Sequence, residues 1–229
     1  MNALLSTTYF GPVQWYQKLF RSEEAVIEQW ESFIKQTYRN RCLIATTQGV
    51  QALTVPVEHG DSLLIKDIRI SNHGNWRHLH WNALQTAYSE SPFFEYYQDD
   101  LRPFFERRWT YLLDFNEAIR AKVCELIDIQ PRVKYSLEWA VDSGQWTVDS
   151  YDYLTSAESI TSSNHNYPLS TVHSQLDFRE SIRPKHPLPD PDFTPKPYYQ
   201  VYQQKHGFLP NLSILDLLFN MGPESIYYL

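Results

Sequence analysis

An apolar run, a turn and an amphipathic segment follow one another in residues 4–20, LLSTTYFGPVQWYQKLF. This order is the strongest indication of the fold in the sequence. Leu4–Phe10 has the composition of a short buried strand. Gly11-Pro12 then interrupts the run, and proline suits the first turn of a following helix. The spacing of Trp15 and Leu19 predicts that helix. The chain therefore opens as strand, turn and helix, which leaves a three-layer α/β fold open.

Residue spacing assigns the next elements. Ser22 is placed to cap a second helical piece that runs through Phe33. Leu63–Ile70 alternates apolar with polar side chains and predicts a strand. Helical spacing returns from Trp76 to Tyr88, and again from Phe105 to Leu126.

The carboxyl-terminal half is less regular. Tyr135–Val148 alternates weakly and suggests a hairpin. Residues 156–197, rich in Ser, Asn and Pro, predict a long irregular excursion over the surface. A helix is expected over residues 213–221, where Ser213 and Asp216 have the spacing of a capping box.

Composition is typical of a folded domain. The chain has 229 residues, of which 42% are hydrophobic and 15% aromatic, enough for a substantial core. We predict one domain over residues 1–229 of the α+β or mixed α/β class, in which a sheet with a hairpin is packed by amphipathic helices.

Charge and motifs exclude several classes of protein. A net charge of −7 disfavours a general nucleic-acid binder. No basic and apolar leader and no apolar run of membrane-spanning length is visible, so we predict a cytoplasmic protein without membrane insertion. Two widely separated cysteines fit reduced, buried thiols. Phosphate-cradling glycine loops and dinucleotide-binding motifs are absent, and the cofactor is left unassigned.

A basic segment lies in the first strand of a predicted hairpin. The runs Tyr38–Ile44 and Ala52–Val57 flank a turn at Gln48-Gly49. Alternation along the first run places Arg39 and Arg41 on one face, where two guanidinium groups could converge on a carboxylate or phosphate. The alternative is a pair of solvated arginines that bind acidic side chains.

One histidine and one cysteine are further candidates. His80 lies on the apolar face of its predicted helix, either as a hydrogen-bonded core residue or as a general acid or base. His78 and His80 point to different faces of a helix, so we predict no metal site. Cys42 follows the arginines and could be a thiolate nucleophile, although strand alternation favours an inert buried thiol.

These residues resemble the WbqC-like family, whose members occur among bacterial surface-polysaccharide genes. The matching blocks are Tyr9, Pro12, Trp15 and Tyr16; Lys35 and Tyr38–Ile44; Leu53–Val57; Trp76, His80, Tyr88, Ser91-Pro92 and Phe94; and Asn211–Gly222. Many members carry His-Gln-Pro where this chain has Ser6-Thr7-Thr8, so no role of that histidine is transferred.

The resemblance implies a group-transfer enzyme, because the family has been suggested to include a glycine transferase acting on O-antigen sugars. We expect aminoacyl or acyl transfer, with glycine as one suggestion, to a sugar intermediate of surface-polysaccharide biosynthesis. Arg39 and Arg41 would hold an anionic substrate, and His80 would act as general base. The other expected substrate-binding residues are Tyr9, Tyr38, Asn40, Trp76 and Tyr88.

A second hypothesis stays open beside the transferase. It is a non-catalytic binding or assembly protein whose arginines recognise an anionic sugar or a protein partner. Nucleic acid enters only if an aminoacyl-tRNA is the donor.

Overall fold

The computed structural model describes residues 2–58, 60, 62–137 and 175–229. Within these ranges the chain forms six strands and seven α-helices. The strands are β1 (Asn2–Ser6), β2 (Glu24–Glu28), β3 (Arg41–Thr46), β4 (Gly49–Thr54), β5 (Val133–Tyr135) and β6 (Gln175–Asp177). The helices are α1 (Val13–Arg21), α2 (Trp76–Tyr88), α3 (Phe94–Leu101), α4 (Pro103–Glu106), α5 (Leu112–Leu126), α6 (Gln203–His206) and α7 (Ile214–Met221).

A four-stranded parallel sheet contains the first two strands of the chain. Its order is β5-β2-β1-β6, and each neighbouring pair is parallel. Parallel neighbours need a crossover connection, and α1 supplies the one from β1 to β2. The predicted order of strand, turn and helix is thus confirmed, although β1 ends at Ser6 and not at Phe10 as predicted, and the protein is of the mixed α/β class. Because the strands are parallel, their carboxyl ends all lie at one edge of the sheet.

The predicted hairpin is also confirmed. β3 and β4 pair antiparallel, with Thr46 opposite Gly49. Gly49 has a φ of 106° at the turn, a conformation that side chains with a Cβ rarely adopt. This hairpin forms a separate two-stranded sheet.

The predicted helix from Ser22 to Phe33 is wrong, since these residues contain β2. This strand lies between β1 and β5, and Ala25 to Glu28 are all buried. A parallel strand is covered on both faces and lacks the polar face of an amphipathic helix. The β-branched pair Val26 and Ile27 suits that environment.

The predicted strand Leu63–Ile70 is wrong as well. It contains a 3₁₀ turn at Ile65–Asp67 and only isolated bridges, among them Val57 with Ile70. Ile65 and Ile68 are both buried, three residues apart. That spacing places both side chains on one side of a 3₁₀ turn, so the turn can bury both. A strand would place them on opposite faces.

The predicted helix Phe105–Leu126 is divided into α4 and α5. The break occurs where the chain pairs with the residues that follow the 3₁₀ turn. Ile70 donates its backbone N–H to the carbonyl of Thr110 at 2.9 Å, and Leu112 donates to Ile68 at 2.9 Å. These bonds hold the intervening backbone extended, and α5 begins after them.

Only part of the predicted irregular segment, residues 156–197, belongs to the residues that the structure describes. Residues 138–174, which include most of the predicted hairpin Tyr135–Val148, lie outside the described residues. At residues 175–177 the prediction is wrong, because β6 forms there and pairs with β1. Three residues are too few to show a period, and the pairing is determined by a distant segment.

The carboxyl-terminal helix is confirmed as α7, but its capping differs from the prediction. The Ser213 side chain accepts a hydrogen bond from the Leu215 N–H, as an N-cap should. The Asp216 carboxylate instead accepts hydrogen bonds from Tyr88, at 2.9 Å, and from Tyr198, at 2.7 Å. Asp216 therefore joins α7 to α2 in the interior.

Candidate functional site

The carboxyl edge of the parallel sheet gathers charged side chains into the interior. The sheet-edge cluster consists of Ser6, Glu28, Glu31, Arg39 and Arg179. The chain leaves β1 for β2 on one side and returns with β6 on the other, so the order reverses beside β1. Open parallel sheets bind ligands outside the carboxyl ends of their strands, at such a reversal.

One half of the cluster is a buried ion pair with a hydroxyl. Arg39 Nε donates to Glu31 Oε1 at 2.7 Å, and Nη2 donates to Oε2 at 2.5 Å. Nη2 also donates to Ser6 Oγ at 2.8 Å, and that hydroxyl donates to Glu31 at 3.2 Å. The arginine and the glutamate are each 3% exposed. The geometry is bidentate, which is the strongest form of this pairing.

The other half joins β2, β5 and β6. Arg179 donates from Nη2 to Asp177 Oδ2 at 2.6 Å, and its Nη1 lies 4.0 Å from Glu28 Oε2. Glu28 is fully buried. It accepts hydrogen bonds from the Ser136 hydroxyl and from the Trp30 backbone N–H, each at 2.7 Å. Each carboxylate here is thus held by donors from neighbouring segments.

A narrow cleft borders the cluster. Its lining comprises Leu5, Ser6, Thr8, Trp15, Tyr38, Arg39, Phe178, Arg179 and Ile182. The cleft holds about 10 Å³, close to the space of one water molecule. The hydroxyls of Thr7 and Thr8 are buried and have no hydrogen-bond partner within the described part of the chain. Thr8 therefore brings an unused polar group to the cleft wall.

A second cavity, the basic entrance, is lined by residues next in the chain to those that line the cleft. It is about 220 Å³ and is lined by residues 35–37 and 183–186. Thr37 directly precedes Tyr38, and Ile182 directly precedes Arg183, so the same two segments line both spaces. The entrance carries the cationic side chains of Lys35, Arg183 and Lys185, and His186 lies beside them.

The structure separates the two arginines that the sequence predicted to act together. β3 begins at Arg41, so Arg39 precedes the strand and strand alternation does not apply to it. Arg41 Nε donates to Thr54 Oγ1 across the hairpin at 3.0 Å, whereas Arg39 binds Glu31. The predicted two-arginine clamp is therefore not formed. Of the predicted site residues, Tyr38 and Arg39 line the cleft.

His80 lies in the core with two other predicted site residues. Its Nδ1 is 2.9 Å from the Tyr9 hydroxyl, and its ring packs edge-on against Trp76 at 5.1 Å. Burial lowers the pKa of His80 to about 4, although a hydrogen bond with the Thr54 backbone opposes the shift. The imidazole is therefore neutral near pH 7. None of these three side chains lines the cleft or the basic entrance.

The remaining predicted residues have structural partners. Asn40 donates from Nδ2 to the Val55 carbonyl at 2.8 Å, and the Tyr88 hydroxyl donates to Asp216. Cys42 is 1% exposed, and burial raises the pKa of its thiol far above the usual range. This agrees with the inert buried thiol, not with a nucleophile.

Sequence reasoning missed both acidic residues of the cluster, its hydroxyl at Ser6 and its second arginine, Arg179. Glu28 and Glu31 were assigned to a helix, and Arg179 to an irregular segment. The available signal was the change from apolar to polar residues after Leu4-Leu5 and after Val26-Ile27, which marks the ends of buried parallel strands.

Fold and site together define a mixed α/β protein with a buried charge cluster at the carboxyl edge of its parallel sheet. The chain belongs to the WbqC-like protein family, which matches it over residues 7–228. It is similar to the uncharacterised protein Rv1507c of Mycobacterium tuberculosis, with 27% identity over 233 residues that cover 99% of this chain and 96% of the relative. No solved structure matches the chain. Among the described residues, no helix has the length and apolarity to cross a membrane.

Proposed function

We propose that this protein binds an anionic, sugar-linked small molecule at the carboxyl edge of the parallel sheet. The observation that carries the proposal is the basic entrance, whose lining segments continue directly into those that line the cleft of Arg39 and Ser6. The phosphate or carboxylate of the ligand meets the cations of the entrance, and the sugar lies in the same cavity of about 220 Å³, with a single hydroxyl directed towards the cleft.

Charge and hydrogen bonding both support this placement. Lys185 is exposed, and Arg183 is half-buried. Cations that line a concave surface raise the local concentration of anions, an effect that falls with added salt. The buried hydroxyl of Thr8 has no hydrogen-bond partner among the residues described. A sugar hydroxyl or an ordered water would satisfy it.

A second candidate is aminoacyl or acyl transfer to that sugar, and the hydrogen bond between Ser6 and Glu31 favours it. Glu31 is hydrogen-bonded to two side chains that line the cleft, Ser6 and Arg39, whereas His80 lines neither the cleft nor the basic entrance. In this reaction a sugar amine attacks the donor carbonyl and a C–N bond forms. The bond from the carbonyl to the leaving group then breaks, and the amine proton passes through Glu31 to the leaving group. We assign both candidate functions to the cytoplasm, in keeping with the free thiols of Cys42 and Cys124.

Calorimetric titration with sugar nucleotides and with inorganic phosphate tests the binding proposal. We expect the double variant Arg183→Ala/Lys185→Ala to bind at least about tenfold more weakly, because each lost cation contact is worth about 1 kcal/mol. The matched control is Lys122→Ala, since Lys122 pairs with Glu125 elsewhere on the surface. Equal affinities in the wild type and the double variant would reject the proposed site.

Mass spectrometry of the acceptor separates transfer from binding. The protein is incubated with an amino sugar nucleotide and either an aminoacyl-tRNA or an aminoacyl phosphate donor. A mass increase of one aminoacyl group that disappears in Glu31→Gln, while His80→Gln retains it, supports transfer with a carboxylate base. Binding of the sugar nucleotide without any mass increase would support the binding function and reject the transfer reaction. Thermal unfolding of each variant verifies that it is folded.

A further inference from the structure

A third cavity lies between the amino end of α2 and the segment around α4. It is about 340 Å³, and its lining comprises Asn72, Gly74, Asn75, Arg77, His78, Trp81, Arg102, Phe105, Glu106 and Arg108. We call it the arginine pocket. It shares no lining residue with the sheet-edge cleft or the basic entrance.

Two of the arginines that line the pocket are not neutralised by an ion pair in the described part of the chain. Arg102 pairs with Glu106 at 2.6 Å, which uses the carboxylate among the lining residues. Arg77 and Arg108 make no ion pair within the described ranges. Burial lowers the pKa of Arg77, and the charge of Arg108 lowers it further, so the two guanidinium groups repel each other. A bound anion would relieve that repulsion.

Arg77 is held in place by two contacts, and one of its hydrogen-bond donors is unused. Its guanidinium carbon lies 4.5 Å from the centre of the Trp76 ring, and Nη2 donates to Asn72 Oδ1 at 3.0 Å. Its Nε is buried and has no hydrogen-bond partner among the residues described. The side chain is thus oriented before any ligand arrives, which reduces the entropy lost on binding.

The first turn of α2 borders the same space. Asn75 occupies the N-cap position, but its side chain makes no capping hydrogen bond. The first N–H groups of a helix have no partner within the helix, and in a 13-residue helix they lie at the positive end of the dipole. Gly74, Asn75 and His78 all line the pocket beside these groups. Phosphate groups bind readily at such a position.

We infer that the arginine pocket binds the phosphate of a small organic phosphomonoester, at a site separate from the sheet edge. Arg77 and Arg108 grip the phosphate oxygens with the start of α2, and His78 adjoins them. The rings of Trp81 and Phe105 provide an apolar wall for the organic part. A volume of about 340 Å³ falls at the lower end of the range of small-molecule sites, about 300 to 1,000 Å³.

Two-dimensional NMR titration with inorganic phosphate and with glucose 1-phosphate tests this inference. We expect the amide signals of Gly74, Asn75 and Arg77 to shift with both probes, and the sugar phosphate to bind more tightly. Arg108→Gln should weaken binding at least about fivefold, roughly 1 kcal/mol. Arg108 is exposed, so this variant should stay folded.

The basic entrance supplies the matched control. In Arg183→Ala/Lys185→Ala, the Gly74 and Asn75 shifts should remain as in the wild type, whatever happens at the sheet edge. The inference is overturned if millimolar phosphate leaves these amides unmoved, or if Arg108→Gln gives the same dissociation constant as the wild type. An equal affinity for both probes would exclude the organic part from the pocket and reduce the site to one for phosphate alone.

Discussion

At the scale of the residue, His80 illustrates how surroundings determine the chemistry of a side chain. The hydroxyl of Tyr9 lies against its Nδ1, the ring of Trp76 covers one side, and 6% of the residue is exposed. A charged imidazole in this position would lose its hydration without gaining a carboxylate. The neutral ring is therefore part of the folded core.

Stability should depend on the charge of this residue. The pKa of His80 is about 4 in the folded protein, against 6.5 for the ordinary side chain. Between these values the unfolded chain binds a proton that the folded chain does not, so stability is full above pH 6.5 and falls as the pH drops towards 4. We predict a loss of about 2 kcal/mol between pH 7 and pH 5 from this group.

Urea unfolding at both pH values measures this loss. His80→Gln should lower stability at pH 7, yet show a smaller change between pH 7 and pH 5 than the wild type. His78→Gln is the control, because His78 is exposed on the same helix, and it should keep the slope of the wild type. Parallel pH curves for wild type and His80→Gln would contradict a neutral buried imidazole.

At the scale of the element, the turn between β1 and α1 is packed tightly against itself. A Cβ built on Gly11 would lie 3.0 Å from Thr8 Cβ and still closer to Thr8 Oγ1. The glycine thus lets the chain turn into α1 while Thr8 stays at the cleft wall.

We predict that Gly11→Ala destabilises the protein by about 1 to 3 kcal/mol, because the added methyl group displaces Thr8. Denaturant unfolding measures the change. Gly60→Ala is the matched control, since nothing lies within 4 Å of its Cβ, and it should change stability by less than about 0.5 kcal/mol. Thr8→Ala in the Gly11→Ala background should restore part of the loss. A Gly11→Ala variant with the same free energy of unfolding as the wild type would refute the tight contact.

Elements with a strong local pattern were predictable. The hairpin has a Gln48-Gly49 turn between alternating runs, and α2 repeats Trp76, His80, Leu84 and Tyr88. β2 was not predictable in the same way, because five residues buried on both faces carry no period. β6 could not be predicted from local sequence, because its three residues form a strand through pairing with β1.

The residues of the candidate site were likewise predictable only where a local sequence pattern marks them. Tyr38 and Arg39 were predicted because aromatic and cationic side chains cluster in one segment. Glu31 and Arg179 join them only because parallel strands bring their carboxyl ends to one edge, and the order of the strands is a property of the fold. His80 was placed correctly on the core face, but its distance from the cleft depends on packing that local spacing does not encode.

At the scale of the whole molecule, the two ends of the chain are interlocked. Val13 donates its N–H to the Leu212 carbonyl at 3.0 Å, and Ile214 donates to Gly11 at 2.9 Å. The apolar side chains of α7 then continue into the core, where Leu217 is fully buried. The last helix is therefore as much a part of the core as the first strand.

We predict that Leu217→Ala costs about 3 to 4 kcal/mol of stability, the transfer term plus a cavity. Leu188→Ala is the control at an exposed leucine, 58% accessible, and should change stability by less than about 0.5 kcal/mol. Urea unfolding curves compare the two. A cost below about 1 kcal/mol for Leu217→Ala would mean that α7 is peripheral.

The position of β6 beside β1 has a consequence for biosynthesis. β1 leaves the ribosome long before β6, although residues 175–177 of β6 pair with one of its two flanks. Until residues 175–177 emerge, that flank keeps unpaired backbone N–H and C=O groups open to neighbouring nascent chains. The protein should therefore rely on holding chaperones once β1 has been made and should become independent of them soon after Asp177 emerges.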